Sequence, residues 1–274
     1  MIDILAYSND VQVWTPAVRY AAELAANLGG TLTALHVAAP WPKREPRGAP
    51  PSVMAELLAY AQEEIRVASH TGVRFVEWAR GLGIESAAWH VAMGDVAEAL
   101  GVAGNWSDLI VVDRRTGDRD GTTELIAETL LAGHVCMAVP DDGDANVRFD
   151  RIFVAFDGSP GAVRALHASM PLLERAQNVL LLRRAAQVDR REAPMSATFD
   201  PVDWLRARQI VVRLETLDPE LGSAGQASLD ASSRNRADLL VCGARGKSGL
   251  DEERLDAVAR HVLACSGVPA LMAA

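Results

Sequence analysis

The sequence predicts two α/β domains in tandem, each built around a parallel β-sheet. Two observations carry this prediction: short apolar runs alternate with longer amphipathic patterns along the 274 residues, and the whole plan occurs twice. Such alternation is typical of βαβ units, whose crossover connections are right-handed almost without exception. A repeat on the scale of half the chain indicates duplication of a whole domain rather than a solenoid.

The first repeat, residues 1–140, opens with the strand-like stretch DILAYS, the helical pattern TPAVRYAAELAANLG and the strand TLTALHV. A long helical pattern, SVMAELLAYAQEEIRVASH, precedes the strand SAAWHVAM. The helix DVAEALGVAGNW and the strand DLIVVD follow, and TTELIAETLLAG and HVCMAVP close the repeat. The run lengths and periodicities predict strands that alternate with helices along the sheet.

The segment PDDGDANVRFD, residues 140–150, interrupts this plan with Pro, Asp and Gly, so residues 141–150 are predicted to form a linker. The plan restarts at RIFVAFDGSPGAVRALHASMPLL, the beginning of the second repeat, residues 151–274. NVLLLR, a helical stretch near DPVDWLRARQ, IVVRLETL, GSAGQASLDASSRNR, DLLVCG, a last helix and PALMAA then follow in the same order. The last helices of the two repeats align without a gap when Thr123 is set against Asp256.

Composition excludes several classes of function. The formal net charge of −9, from 36 acidic and 27 basic residues, disfavours a nucleic-acid partner. No apolar run approaches the roughly 18 residues of a membrane span, and MIDILAYSND lacks the basic region of a signal peptide. Cys136, Cys242 and Cys265 lack CxxC spacing, which favours buried, reduced thiols. We therefore expect a cytoplasmic location, with neither nucleic acid nor membrane as a partner.

Glycine-rich turns of the second repeat are the segments with the most chemical content. VAFDGS ends the first strand, and DLLVCGARGKSG ends the fourth. The residues that these turns contribute are Asp157, Gly158, Ser159, Gly243, Arg245 and Gly246. In α/β proteins such strand-to-helix turns hold phosphates, because backbone amides and the following helix N-terminus can approach the anion. The turns therefore predict a candidate nucleotide site.

This set of turns resembles the universal stress protein family, and the tandem arrangement resembles its two-domain members. The resemblance covers nearly the whole chain and implies two flavodoxin-like (Rossmann-like) domains, each with five parallel strands in the order 3-2-1-4-5. For members that bind ATP it also implies a Gly-x2-Gly-x9-Gly-Ser/Thr stretch and an aspartate after the first strand. Asp157 stands at that aspartate, and Gly243 and Gly246 stand at the first two glycines.

The match to the ATP motif fails at its third glycine. Asp256-Ala257 stands where Gly-Ser or Gly-Thr is expected, so the hydroxyl is lost and a carboxylate lies at the helix start. Two like charges about 4 Å apart cost on the order of 1 to 4 kcal/mol at surface-like dielectric constants. Because aspartate is a favoured N-cap, we expect Asp256 to cap the last helix with its own charge.

The first repeat departs further from the motif. At the equivalent positions it has Ser8, Asp113, Thr116, Thr123 and Glu124. We expect Thr123 to cap its helix and Glu124 to place a carboxylate in the first turn. Both repeats would then have turns that reject an anion.

These residues favour a universal-stress-type regulatory protein that acts through conformation and protein contacts, is not an enzyme and needs no cofactor. The chain lacks a Walker lysine, a GxSxG elbow, metal-ligand spacing among its histidines and a specific carboxylate pair. One alternative is an ATP-binding sensor, with Mg, that has one site in the second repeat and hydrolyses slowly if at all. The other is a binder of a small non-nucleotide anion or metabolite through Arg114, Arg115 and Arg245. These arginines are predicted to lie in the turns after strands, where solvent-facing side chains are the stronger expectation.

Several further residues have structural interpretations. His36 and His90 end neighbouring predicted strands; they either face each other in a polar pocket or, as the stronger expectation, are satisfied separately. Trp78, Trp89 and Trp106 are expected in the core or at a domain interface.

The last strand of each repeat is predicted to pair. VCMAV and PALMA are apolar and lack lysine, and an unpaired edge of this kind favours aggregation. Because the resemblance implies pairing of last strands, we expect the two to pair within the chain as a pseudo-dimer, or with a second copy in a homodimer. The Pro-rich segment 39–51 is expected to form a solvated loop, with a lid as the alternative.

Overall fold

The computed structural model describes residues 1–38, 50–114, 121–141, 147–184, 200–217, 223–244 and 255–274. Strands and helices alternate through these ranges, as predicted. The chain forms two compact units: the first is Met1–Asp113, and the second begins at Arg114 and contains every later described element. Each unit is an α/β structure, so the fold class predicted from the sequence is confirmed.

The first unit has four parallel strands. They are β1 (Asp3–Ser8), β2 (Thr31–Ala38), β3 (Ala87–Met93) and β4 (Leu109–Arg114), and the helices are α1 (Pro16–Leu28), α2 (Pro51–Gly81) and α3 (Val96–Gly104). The strands pair in the order β3-β2-β1-β4. Successive connections leave β1 and β4 toward opposite sides, which makes the carboxyl ends of β1 and β4 the topological switch point.

The second unit contains the whole sheet of the second repeat and the end of the first repeat. Its elements are α4 (Thr122–Leu131), β5 (Cys136–Pro140), β6 (Arg151–Phe156), α5 (Pro160–Ala168), α6 (Met170–Leu173), β7 (Asn178–Arg184), α7 (Pro201–Arg206), β8 (Val212–Leu217), α8 (Ala224–Arg234), β9 (Leu239–Gly243), α9 (Ala257–Cys265) and β10 (Ala270–Ala273). The parallel strands follow the order β8-β7-β6-β9-β10, which is the expected 3-2-1-4-5. The switch point lies at the carboxyl ends of β6 and β9.

The central strands are buried on both faces, which explains their continuous apolar sequences. Every residue of β4 and of β9 is buried, as is usual when helices cover both sides of a parallel sheet. The helices begin and end at local signals in the sequence. For α1, the hydroxyl of Thr15 accepts the N–H of Val18, and Gly29, with a φ of 63°, ends the helix.

The last strands of the two repeats pair in the second unit. β10 runs antiparallel to β5, with Met137 opposite Leu271, and both strands are fully buried. This pairing groups β5 with the second repeat. The predicted domain boundaries at 1–140, 141–150 and 151–274 describe the sequence repeat and stay a prediction, since the compact units divide after Asp113. Residues 39–49 of the Pro-rich segment and 142–146 of the predicted linker lie outside the described residues, and α2 already begins at Pro51.

The cysteines differ from one another in exposure. Cys136 and Cys242 are buried, as predicted, and burial raises the pKa of Cys136 to about 12. Cys265 is exposed, so the prediction of a buried thiol was wrong there. The buried face of α9 consists of Ala259, Val262 and Leu263, and Cys265 falls outside it. Within the described ranges, no helix is long and apolar enough to cross a membrane.

Candidate functional site

The candidate site of the second unit lies at its switch point, where β6 and β9 end. Of the predicted site residues, the structure describes Asp157, Gly158, Ser159, Gly243, Asp256 and Ala257, whereas Arg245 and Gly246 lie outside the described residues. The loop after β6, the end of β9 and the start of α9 come together here. The carboxylates of Asp256 and Asp157 both act, after burial, to raise the pKa of the Cys242 thiol.

The loop after β6 is fixed by its own hydrogen bonds. The Oδ1 atom of Asp157 accepts the N–H of Ser159 at 2.8 Å, and Gly158 between them has a φ of 72°, which favours glycine. Ser159 is fully buried, and its Oγ accepts the N–H of Ala162 at 3.1 Å. Ser159 is therefore the N-cap of α5, which gives this part of the motif a structural role.

Gly243 is required by packing. A methyl group at this position would lie 2.6 Å from the backbone nitrogen of Ala162 and 3.0 Å from Ser159 Oγ. Strand β9 thus approaches the first turn of α5 more closely than any side chain at 243 would permit. The motif predicted a glycine for the approach of a phosphate, whereas the contact that explains it in this structure is with α5.

Asp256 caps α9, as the sequence predicted. Its Oδ1 atom accepts the N–H of Ala259 at 2.7 Å, and its own N–H donates to the carbonyl oxygen of Ala244 at 2.9 Å. Burial raises the pKa of Asp256, and the Asp157 carboxylate raises it further, although the hydrogen bond from Ala259 works in the opposite direction. The carboxylate is thus held at the helix start in an environment that already disfavours negative charge.

At the start of α9 the chain itself supplies an anion. A helix N-terminus binds anions through the free N–H groups of its first turn, and here a carboxylate already accepts one of them. Ala257, the first residue of α9, offers no hydroxyl. A phosphate would also stand beside Asp256, with a repulsion on the order of 1 to 4 kcal/mol at about 4 Å.

The switch point of the first unit holds a different carboxylate. Asp113, near the end of β4, is 8% exposed, and its Oδ1 atom accepts the N–H of Ala17 at 2.7 Å. Asp113 stands at the position of Gly243 in the repeat, and Ala17 lies in the first turn of α1. Asp113 also contributes, after burial, to raising the pKa of Tyr7. Sequence reasoning noted Asp113 as a lost glycine but missed this hydrogen bond, since its partner lies far away in the chain.

The loop between β1 and α1 is fixed to α2. Ser8 is fully buried, and its Oγ donates to the carbonyl oxygen of Asp10 at 2.6 Å. The guanidinium of Arg74 on α2 donates to the carbonyl oxygens of Val11 and Gln12 at 2.7 and 3.0 Å. This loop is longer than the one after β6, and it has side-chain anchors that hold it against a helix.

An aromatic cluster completes this attachment. The ring centroid of Trp14 lies 5.5 Å from that of Phe75, 5.4 Å from Trp78 and 5.8 Å from Trp89. Trp78 and Trp89 are therefore half-buried members of an aromatic cluster around the buried Phe75, and sequence reasoning missed Trp14. Trp106 is 84% exposed, so the expectation of a core or interface residue was wrong for it.

The two histidines do not form a polar pocket. His36 is in register with Val91, and His90 is in register with Leu35. Because successive residues of a strand point to opposite faces, His36 and His90 lie on opposite faces of the sheet. The Nδ1 atom of His36 lies 2.8 Å from the carbonyl oxygen of Ser8, which agrees with the expectation of separately satisfied imidazoles.

Two expectations about the first repeat were wrong. Arg114 is the last residue of β4 rather than a turn residue; it is 3% exposed, and its guanidinium donates to the carbonyl oxygens of Leu263, at 2.8 Å, and Ser266. A buried cation at the C-terminal end of α9 is favourable, because the carbonyl dipoles point at it. Helix α4 has Gly121 as its N-cap, with no capping side chain, so Thr123 is not the cap. Glu124 does lie in the first turn, and Arg115 and Arg245 lie outside the described residues.

Fold and site together define a tandem, doubly wound α/β protein whose helix starts at the switch points are supplied with carboxylates. Residues 6–127 and 148–273 match the model of the Universal stress protein family. The chain belongs to this family, as a tandem two-domain member. Among the described residues, no group of three or more His, Cys, Asp or Glu side chains could hold a metal ion.

Solved structures with the same fold come from archaea and bacteria. A universal stress protein from Archaeoglobus fulgidus DSM 4304 is 16% identical with a TM-score of 0.67, over 98% of this chain and 95% of that chain. A putative universal stress protein from Pseudomonas aeruginosa UCBPP-PA14 is 14% identical with a TM-score of 0.58, over 98% and 92%. A functionally unknown protein from Pseudomonas aeruginosa PAO1 is 15% identical with a TM-score of 0.56, over the same shares. The comparison with curated proteins gave no match.

Proposed function

We propose that this universal stress protein is a regulatory protein that acts through its conformation and protein contacts, without bound ATP and without catalysis. Membership of the family supports a role in the stress response. The main observation that supports a protein without ATP is the Asp256 carboxylate, which accepts the N–H of Ala259 at the start of α9. That carboxylate takes the place that a phosphate would need.

The first unit supports the same proposal with a different residue. The Asp113 carboxylate accepts the N–H of Ala17 in the first turn of α1, at the other switch point. In each unit, a helix start beside the carboxyl ends of the strands is thus supplied with negative charge from the chain itself. A triphosphate would have to displace a hydrogen-bonded carboxylate and then lie beside it, and both steps oppose binding.

An ATP sensor with one site in the second repeat is the second candidate. The residues that favour it are Asp157, Gly243 and Gly246, which match the motif of ATP-binding members, and Gly158 and Ser159, which complete the turn after the first strand. Of these, Ser159 and Gly243 have the structural roles already described, which weakens the motif as an indication of a ligand. The candidate anion site of turn arginines loses Arg114, whose guanidinium binds two backbone carbonyls.

We further propose that the antiparallel pairing of β5 with β10 replaces a contact that single-domain copies would make as a homodimer. The observation that supports this is the burial of every residue in both strands, which leaves neither strand as an exposed edge. The cytoplasm stays the predicted location, because two of the three cysteines are buried free thiols.

Nucleotide content is the direct test. The purified protein is denatured by heat, its supernatant is analysed for adenine nucleotide, and the native protein is titrated with Mg-ATP by calorimetry. We expect no released nucleotide and no binding heat. ATP recovered in a near-stoichiometric amount would overturn the proposal in favour of the ATP sensor.

A paired variant tests the reason. Asp256→Gly combined with Ala257→Ser restores the motif, and we expect it to gain Mg-ATP affinity by at least about tenfold, since one like-charge contact is removed. Asp95→Gly is the matched control, because Asp95 caps α3 through the same type of hydrogen bond, away from β4 and β9. No gain in the double variant would show that residues other than Asp256 close the site.

A further inference from the structure

Helix α2 is longer than the strands beside it. Its 31 residues rise about 46 Å at 1.5 Å per residue, whereas β2 and β3, with 8 and 7 residues, span about 25 Å. The buried side chains of α2 are Ala61, Ala68, Phe75 and Ala79. Residues 52–60 contain no buried side chain, so the N-terminal part of α2 makes little contact with the rest of the described chain.

This exposed part of α2 carries an apolar seam. Val53, Leu57, Tyr60 and Val67 are 41%, 40%, 61% and 36% exposed. Their spacing places them at the d, a, d and d positions of a heptad pattern, with Glu64 at the a position between Tyr60 and Val67. They therefore form one line along the helix beside the buried alanines. A line of large apolar side chains at this spacing is the surface that a helix presents to another helix.

The seam has an acidic edge. Glu56 and Glu63 are one heptad apart and exposed, at the positions that flank the seam on one side. Glu64 lies within the seam, where its Oε1 atom accepts the hydroxyl of Tyr60 at 2.7 Å. Arg66 pairs with Glu63 at 2.5 Å, so the excess of negative charge along this edge comes from the carboxylates of Glu56 and Glu64. The formal charge of the whole chain, −9, adds to it.

We infer that the seam formed by Val53, Leu57, Tyr60 and Val67 is a docking surface for an amphipathic helix of a partner protein with Lys or Arg along its flanks. This inference rests on the proposed function, whose protein contacts it makes specific. A basic flank would meet the acidic edge at Glu56 and Glu63, while the apolar face of the partner helix covers the seam.

A second copy of this chain is a poorer occupant. In an antiparallel pair of identical seams, the edge with Glu56 and Glu63 would face the same edge of the other copy, and like charges repel. In a parallel pair this edge would face the line that contains Ala61 and Ala68, which offers no cation and is already buried. Neither arrangement supplies the positive charge that the acidic edge favours.

The test uses two synthetic helical peptides and the full chain. Both peptides have leucine at a and d; one has lysine and the other glutamate at e and g, and binding is followed by fluorescence anisotropy. We expect saturable binding of the lysine peptide and binding at least about tenfold weaker of the glutamate peptide. Leu57→Glu should lower the affinity for the lysine peptide by at least about tenfold, because it places a charge in the centre of the seam.

Two matched charge reversals separate the seam from the general acidity of the protein. Glu63→Lys should weaken binding of the lysine peptide and strengthen binding of the glutamate peptide. Glu85→Lys makes the same change at an exposed position outside α2, between its end and β3, and should do neither. Circular dichroism of each variant checks that the fold is retained.

Three outcomes would overturn the docking surface. The first is equal binding of both peptides. The second is an affinity for the lysine peptide that Leu57→Glu leaves unchanged. The third is a dimer in sedimentation equilibrium that Leu57→Glu dissociates, which would make a second copy the occupant. The nucleotide assay reads the proposed function separately. Failure of peptide binding in a protein that still binds no ATP would remove the docking surface alone, whereas bound ATP would remove the proposed function.

Discussion

The two switch points solve the same packing problem with different residues. In the second unit, Gly243 leaves out a side chain so that β9 can approach the first turn of α5. In the first unit, Asp113 at the equivalent position reaches the first turn of α1 with its carboxylate, 2.7 Å from the nitrogen of Ala17. A strand end thus contacts a helix start in both units. A motif glycine can therefore be required by a helix contact, so its presence alone does not indicate a ligand.

The loops before these helices differ as well. The loop after β6 is short, and Asp157 and Ser159 fix it from within. The loop after β1 is longer, and it is held from outside by Arg74 and by the aromatic cluster around Trp14. The first unit therefore has, in place of the short turn, a segment attached to α2. This is consistent with the sequence of the first repeat, which departs further from the ATP motif.

The largest expected effect comes from adding one methyl group at Gly243. Because the new atom would lie 2.6 Å from the nitrogen of Ala162, we expect Gly243→Ala to destabilise the protein by about 3 kcal/mol, the upper range for overpacking. Urea unfolding of the full chain measures the loss.

Gly101→Ala is the control for this change. A methyl group there would have no neighbour within 4 Å, and alanine within α3 is expected to gain up to about 1 kcal/mol. If Gly243→Ala were as stable as the parent, the helix contact would not be the reason for the glycine, and a ligand would again be the better explanation.

The Asp113 hydrogen bond should have the next largest effect. Asp113→Ala leaves the N–H of Ala17 without this acceptor in a buried place, and we expect a loss of about 1 to 3 kcal/mol in the free energy of unfolding. Asp113→Asn keeps a side-chain oxygen and should recover most of the loss. Equal losses for the two variants would mean that the charge, and not the acceptor, holds α1.

The sequence predicted those features whose physical causes are local or periodic. The alternation of strands and helices and the repeat predicted both sheets, and the cap at Asp256 was predicted because its partner, Ala259, is three residues away. The hydrogen bond of Asp113 joins residues 96 positions apart, and Arg114 binds a carbonyl 149 positions away. No local pattern encodes such contacts, so the role of both residues was missed.

Capping by Asp256 should have a smaller effect on stability. Asp256→Ala removes the acceptor for the N–H of Ala259, which costs about 1 kcal/mol for a typical N-cap, whereas Asp256→Asn keeps the cap. The unfolding midpoints in urea distinguish the three proteins. Losses of the same size in both variants would show that the side chain at 256 is not acting as a hydrogen-bond acceptor.

The smallest expected effect is the pH dependence of the stability difference between the parent and Asp256→Asn. It tests whether the site already disfavours negative charge. Burial, and then Asp157, raise the pKa of Asp256 in the folded protein. For a raised folded pKa, the stabilising contribution is present below the unfolded pKa and is lost as the pH rises through the folded pKa. Asparagine does not ionise, so Asp256→Asn should gain stability relative to the parent at about pH 7 and lose that advantage toward about pH 4.

The cause of this difference is checked in an Asp157→Asn background. Removal of the neighbouring carboxylate should lower the pKa of Asp256. The pH-dependent difference in stability between proteins with and without the Asp256→Asn substitution should then become smaller. Urea midpoints across the same pH range measure this gap. An unchanged gap would assign the effect to burial alone. A gap of opposite sign would mean that ionised Asp256 stabilises the fold, and the second switch point would then resemble the first, where a buried carboxylate holds a helix start.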